Sequence, residues 1–296
     1  MSIASEISRL NTAKTDIKAA LEGKGITVPS TLKIDGYAQL IENFVLDIRV
    51  VAKYNVTSTG NPTQLCYSDA VSQFSAIEID GVAQPSVVST YTFSTTGEHT
   101  VKYTLTDPTS IGVYAFMECL SLTSIEIPNS VTSIGEGTFY ECSSLTSCTF
   151  DKNSQLTTIG ATAFISCNGL TSIEIPSGVT SIGGNAFASC TSLTSIDIPN
   201  SVTTIGGEAF FNCTGLTTCT IGSGVTSIGN RAFRKCTSLT SITSNATTAP
   251  TIKSDTFDSV KTGGTLTVPS GSSGYDVWMG TGNYYLGSYG WTKVEQ

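Results

Sequence analysis

One unit recurs along this chain, and its spacing constrains the fold more than any other feature. It is cleanest in LTSIEIPSGVTSIGGNAFASC (170–190) and LTSIDIPNSVTTIGGEAFFNC (193–213). The Phe of each copy sets the period. Phe116, Phe139, Phe164, Phe187, Phe210 and Phe233 are separated by steps of 23, 25, 23, 23 and 23. Three residues after each Phe stands a Cys: Cys119, Cys142, Cys167, Cys190, Cys213 and Cys236. A fixed period in the low twenties predicts a solenoid, because one such unit leaves apolar edges that only another unit can cover.

Each copy has four parts. L-T-S-I-x-I reads as a strand with Leu and both Ile inward. Pro ends it, having no N–H for a ladder. V-T-S-I-G is a second short extended piece that turns at Gly. A-F-x-x-C reads as a helical turn that drops Phe and Cys into the interior. A buried Phe removes roughly 150–250 Å² from water. At about 25 cal/mol per Å² that is worth about 4–6 kcal/mol before entropy. Phe187 and Phe210 are therefore the positions where truncation should do most damage. The 25-residue step is accounted for by extra turn residues near Lys152 and Asn153, within TFDKNSQL.

Charged residues make up only 13 % of the chain, the net charge is −8, and Lys and Arg never cluster. Phosphate backbones demand a basic patch, so nucleic acid is excluded as a partner. An anionic membrane surface is excluded on the same ground. No apolar run reaches the roughly 20 residues of a membrane span. MSIASEISRLNTAKTD lacks a cationic start followed by an apolar core, so a secretory signal is not expected there. The nine Cys are expected to be buried thiols. Cys148 and Cys219 stand where other copies have Ile125, Ile173, Ile196 and Ile242, which is the behaviour of a small hydrophobe. Side chains stacked in one direction also make poor disulfide geometry. With no C-x-x-C pair and a single His, His99, no zinc site is expected.

LTSIEIPNSVTSIGEGTFYEC and its copies resemble the BspA-like leucine-rich repeats, also called the Treponema type. The resemblance covers about 109–260 and implies a curved solenoid, an extracellular setting, and adhesion or binding rather than catalysis. The chain departs from the commonest leucine-rich repeats in lacking their Asn ladder; Cys and Phe occupy the interior instead. The expected fold is mainly β: a leucine-rich-repeat solenoid at 107–260 of about six 23-residue repeats plus a degenerate seventh. In that seventh unit Phe257 keeps its place and Val260 stands where Cys would be.

Three flanking regions complete the chain. In 1–44, Ile3, Ile7, Leu10, Lys14, Ile17 and Leu21 follow a heptad pattern. Two readings stand: a helix packed on its own domain, or a short coiled coil joining two or three chains. Residues 45–106 read as a small antiparallel β module, an incomplete immunoglobulin-like sandwich, that also covers the first coil. Asp80-Gly81 marks a two-residue hairpin, and Gly97 marks a turn between an arm with Tyr91 and Phe93 and one with Val101, Tyr103 and Leu105. His99 is expected to be a solvated turn residue. Residues 261–296 crowd Tyr275, Trp278, Tyr284, Tyr285, Tyr289 and Trp291 together. They read either as a cap for the apolar end of the solenoid or as a stacking surface for sugars.

The segment MSIASEISRLNTAKTDIKAALEGKGITVPSTLKIDGYAQLIENF is similar to N-terminal segments of tail proteins of phages and prophages of gut bacteria. The C-terminal YDVWM…WTKVEQ segment resembles the ends of repeat proteins from the same setting. This implies a tail-fibre-type protein of the virion, assembled in the bacterial cytoplasm. Its partners would be a host-surface glycan or protein and other tail proteins. The alternative is a bacterial surface adhesin.

No catalytic constellation is legible. Glu126, Glu174 and Asp197 share one repeat position, but Thr149, Thr220 and Thr243 take it in other copies, so solvated strand residues are expected. No phosphate loop, dinucleotide fingerprint or cofactor motif occurs. A polysaccharide-acting enzyme using these carboxylates is the remote alternative. The same strand repeats hydroxyls, at Thr123, Ser124, Thr171, Ser172, Thr194, Ser195, Thr217 and Thr218 among others. With Glu174 and Asp197 they form the candidate binding face, unless cross-strand Thr pairing alone explains them.

Overall fold

Period-2 burial of V-V-A-K-Y-N-V and of the repeat strands dictates an almost all-β architecture. The computed structural model describes residues 49–296 apart from Ser254 and Asn283, together with Thr15, Lys18 and Ala19, which are helical. The chain divides into two compact units, Met1–Arg49 and Val50–Gln296. The proposed heptad residues Ile3, Ile7, Leu10, Ile17 and Leu21 lie outside the described residues.

Before the array come β1 (Arg49–Val56), β2 (Thr63–Gln64), a 3-10 helix (Ser68–Gln73), β3 (Phe74–Ile79), β4 (Val82–Ala83), β5 (Thr90–Tyr91) and β6 (Gly97–Leu105). Two series of strands build the array. The V-T-S-I pieces give β7 (Ser110–Ile111), β9 (Ser133–Ile134), β11 (Thr158–Ile159), β12 (Ser181–Ile182), β14 (Thr204–Ile205) and β16 (Ser227–Ile228). These pair in parallel as one six-stranded sheet, Ile over Ile from coil to coil. The L-T-S-I-x-I pieces give β8 (Leu122–Ile127), β10 (Ser147–Phe150), β13 (Ser195–Ile198), β15 (Thr218–Ile221) and β17 (Ser241–Ser244), followed by β18 (Thr265–Val268) and β19 (Thr292–Glu295). This second series is not one sheet. Its first two strands join β1, β6, β3 and β4 in the order β10-β8-β1-β6-β3-β4, and the rest run β13-β15-β17-β18-β19.

The region before the array therefore covers the first coil by direct strand pairing: β1 runs antiparallel to β8, with Ala52 opposite Ile125. Asp80 and Gly81 both have positive φ, 49° and 81°, and join β3 to β4 as an antiparallel hairpin. The turn expected at Gly97 does not form a hairpin. β5 pairs with β2, and β6 pairs with β3, because the longer β6 finds a full apolar partner strand there. His99 is likewise not solvated. It is buried against Phe93, with Nδ1 2.7 Å from Asp80 Oδ2 and Nε2 3.0 Å from the Thr95 carbonyl.

The interior is a ladder. Phe116 through Phe257 are fully buried, and successive rings stack at 5.0–5.8 Å between centroids. The A-F-x-x-C piece is a run of turns rather than a helix. Its N–H groups reach the next coil, as Phe187 N donates to Ala209 O at 2.8 Å and Phe210 N to Ala232 O at 2.8 Å. That geometry needs left-handed residues on either side of the Phe. Asn185 and Ser189 (φ 55° and 60°) and Glu208 and Asn212 (57° and 58°) supply it. Each such non-glycine residue costs of order 1 kcal/mol or more, offset by intercoil bonds such as Ser189 N to Phe211 O at 2.7 Å. The Gly ending V-T-S-I-G is there for close approach: a Cβ on Gly206 would sit 2.5 Å from the backbone of Gly183 and Gly184.

Candidate binding face

The L-T-S-I-x-I strands place Leu and Ile inward and Thr, Ser and the acidic position outward. Thr171, Ser172, Glu174, Thr194, Ser195, Asp197, Thr217 and Thr218 are exposed on this one face. Thr123 and Ser124 are only half-buried members of it, because β1 runs beside them: Lys53 pairs with Ser124, and Thr123 Oγ1 donates to the Lys53 carbonyl at 3.1 Å. They are therefore poorly placed for a ligand.

The Thr hydroxyls are engaged with the neighbouring coil. Thr146, Thr194, Thr217 and Thr240 donate Oγ1–H to the carbonyls of Thr123, Thr171, Thr194 and Thr217, at 3.0, 3.2, 2.9 and 3.4 Å. A parallel column on the other sheet does the same: Thr157, Thr180, Thr203 and Thr226 donate to Thr132, Thr157, Thr180 and Thr203. Sequence reasoning left open whether these hydroxyls were glue or binding groups. Their protons are committed to the stack, so toward solvent they offer lone pairs. Among the exposed residues of the face, Thr171, Ser172, Ser195 and Thr218 make no such bond, so their hydroxyls remain as donors. Asp197 lies beside Thr220, and Glu126 beside Thr149, in register. Among the described residues no cluster of three or more His, Cys, Asp or Glu is arranged to hold a metal ion.

All nine Cys are free and buried. Five of the array thiols have a partner that spacing did not reveal. The Sγ of Cys142, Cys167, Cys190, Cys213 and Cys236 donates to the carbonyl of Phe116, Phe139, Phe164, Phe187 and Phe210, at 3.0–3.2 Å. Burial pushes the thiols of Cys142 and Cys213 up to about 12, which leaves them neutral and unreactive at physiological pH.

The terminal aromatics divide. Tyr275, Trp278 and Trp291 are buried. Trp278 packs 5.3 Å from Phe257, the last ring of the stack. Trp278 Nε1 donates to Pro250 O at 2.9 Å and Trp291 Nε1 to Lys261 O at 2.7 Å, while Tyr275 Oη lies 2.7 Å from Ser244 Oγ. These three rings present no open face for sugar stacking. Tyr289 is half-buried and accepts from Ser259 N at 2.9 Å. Tyr285 is half-buried too, and Tyr284 alone of the six is exposed.

One feature of the face has no counterpart in the repeat pattern. A cleft of about 680 Å³ opens between residues 147–154 and 172–177. The single 25-residue step was the signal that could have located it.

Stacked coils with parallel strand ladders, a Phe column and capped apolar ends define a leucine-rich-repeat β-solenoid. The model of the BspA type leucine rich repeat region matches this chain in six copies, over residues 86–190, 109–240 and 157–273, so more than half of the 296 residues are covered. The chain belongs to that family. It is similar to a leucine rich repeat protein of T. pallidum, at 32 % identity over 45 % of this chain and 61 % of that one, with a TM-score of 0.43. A leucine-rich repeat protein from Bacteroides ovatus is 27 % identical over 62 % of this chain and 50 % of that one, with a TM-score of 0.47. A leucine rich cell surface protein from Faecalibacterium prausnitzii is 28 % identical over 57 % and 60 %, with a TM-score of 0.40. The chain thus spans between half and about three-fifths of the length of these solved structures. Comparison with curated proteins gives no match. No catalytic family is indicated, and no helix among the described residues is long and apolar enough to cross a membrane.

Proposed function

We propose that this protein is a non-enzymatic binding protein of the bacterial cell surface, an adhesin whose ligand meets the strand face of the array. The observation that carries this reading is the division of labour within each coil. The repeated Leu, first Ile (or Cys), Phe and Cys positions are buried in every coil from 122 to 242, whereas the Ser and acidic positions repeat on one exposed face. Such a face suits many weak contacts in register, and multivalency turns them into useful avidity without a deep pocket. The ligand class is a host-surface glycan or glycoprotein.

The test is a triple variant, Ser195→Arg, Asp197→Arg and Thr218→Arg, assayed on a glycan array and on immobilised host glycoproteins. Binding by the parent chain that the variant loses supports the proposal. Binding unchanged by the variant but lost on removal of residues 1–48 sinks it.

A second reading is supported by the likeness of residues 1–44 to tail proteins and by their heptad spacing. In it the chain is a tail-fibre-type protein that forms dimers or trimers through Ile3, Ile7, Leu10, Ile17 and Leu21 and meets other virion proteins there. Mass measurement separates the two, since a strictly monomeric full-length chain at high concentration removes the tail-fibre reading.

A further inference from the structure

The coil at 170–176 carries the same LTSIEIP as residues 122–128, which include β8, yet it takes part in no strand ladder. β10 pairs with β8 alone and β13 with β15 alone, so both flanking strands have an open edge. The Thr column breaks at the same place: Thr146 and Thr194 each donate to the preceding coil, and Thr171 makes no such bond to Thr146. The opposite wall does not break. β11 pairs with both β9 and β12, and Cys167 Sγ still donates to Phe139 O at 3.2 Å.

The rings show how both statements hold. Phe139 and Phe164 remain 5.0 Å apart but tilt by 24°, against 3° and 2° for the next two pairs. The two coils are therefore wedged apart, closed at the Phe and Cys side and open at the strand side. The two extra residues of the 25-residue step lie at the lip, where Asp151, Lys152 and Ser154 line the opening. The floor is apolar and slightly uncovered. Cys148 is 4 % and Ile173 7 % exposed, while the equivalent Ile125, Ile196 and Ile242 are 0–1 % exposed.

We propose that this wedge is a docking slot for an extended polypeptide segment, which adds a strand between Ser147–Phe150 and Ser172–Pro176. The chemistry of the slot selects that occupant. Successive peptide groups of a strand point to opposite edges. With β8 on one edge of β10, its alternate N–H and C=O groups face the cleft without a ladder partner. A strand supplies donors and acceptors at matching spacing, which is the basis of recognition by strand addition. Period-2 side chains would set small apolar groups on Cys148 and Ile173 and polar ones outward. The volume falls within the roughly 300–1,000 Å³ typical of ligand sites. Asp151 and Glu174 outnumber Lys152 at the lip, which favours a neutral or basic segment.

The probe is a fluorescent heptapeptide, LTSIKIP, the array's own strand pattern with its acidic position made basic. It is titrated by anisotropy into the full chain, with hydrogen exchange read at 147–150 and 172–176. Saturable binding with slowed exchange at both edges is expected. Deleting Lys152 and Asn153 restores the 23-residue step and should close the slot, weakening the peptide at least tenfold, about 1.4 kcal/mol. Ser172→Trp fills the slot from an exposed position and should weaken it similarly, which covers the case in which the deletion does not fold. The peptide N-methylated at alternate amides should not bind. The Ser195→Arg, Asp197→Arg, Thr218→Arg variant should bind the peptide normally, so failure of the glycan reading and failure of the slot are told apart. The slot is overturned if LTSIKIP does not saturate at millimolar concentration or if both slot variants bind it as the parent does. It is equally overturned if the N-methylated peptide binds equally well or if oligosaccharides alone protect the two edges.

Discussion

The coils at 193–244 and those at 145–177 are built from nearly the same words, and they stack differently. In the first stretch Ser195 to Ile198, Thr218 to Ile221 and Ser241 to Ser244 form an unbroken parallel ladder. In the second the ladder stops after Phe150 although the Phe stack continues. The difference teaches which interactions tolerate misalignment. Ring stacking and apolar burial are weakly directional, so a 24° tilt at Phe139–Phe164 costs little. Hydrogen bonds need donor and acceptor in line within a few tenths of an ångström, so the same tilt is enough to part residues 172–175 from β10.

Four measurements can break or sharpen this contrast. The largest effect belongs to the core. Phe187→Ala should destabilise by about 3–5 kcal/mol in urea unfolding, and Phe164→Ala should cost about the same, since both rings are fully buried. A much smaller loss at Phe164 would mean that the wedge reaches the Phe column.

Alkaline pH acts next. Folding raises the Cys142 and Cys213 thiols from about 8.5 to about 12. A raised folded value means that the stabilisation is complete below the unfolded value and is lost as pH climbs through the window to 12. Stability should therefore be flat from pH 6 to 8 and fall steeply above pH 9. A flat profile to pH 11 would show that the array thiols are not buried.

Third, Cys148 at the slot and Cys219 at the equivalent place in the regular stretch are 4 % and 2 % exposed. A small neutral alkylating reagent should label Cys148 several-fold faster in the native protein, and equal rates would argue that the cleft is closed in solution. The smallest effect is in the hydroxyl column. Thr217→Val removes a 2.9 Å bond to the Thr194 carbonyl and should cost about 0.5–1 kcal/mol. Thr171→Val removes no intercoil bond of this kind and should change stability by less than half as much.

Much of this was legible in the residues. The period, the inward Leu, Ile, Phe and Cys, and the free thiols follow from which residue types exchange at one position, and exchange between Ile and Cys has only one physical meaning, burial. The Asp80-Gly81 hairpin was legible because only a few residue pairs accept two consecutive positive φ values. The Gly97 hairpin was misread because alternation on both sides of a turn does not say which strand an arm pairs with; β6 chose β3. His99 was misread because its partner, Asp80, is distant in sequence and reaches it only through the β3–β6 pairing.

The sequence alone determined that coils must stack, at what interval, and with which side chains inside, because apolar burial depends on composition and period and little on exact geometry. Tertiary structure alone decided that the terminal Trp residues close the stack, that Thr protons are spent between coils, and that a two-residue excess opens the strand side near Lys152. Each of these turns on direction and distance between groups far apart in the chain, which no local pattern encodes.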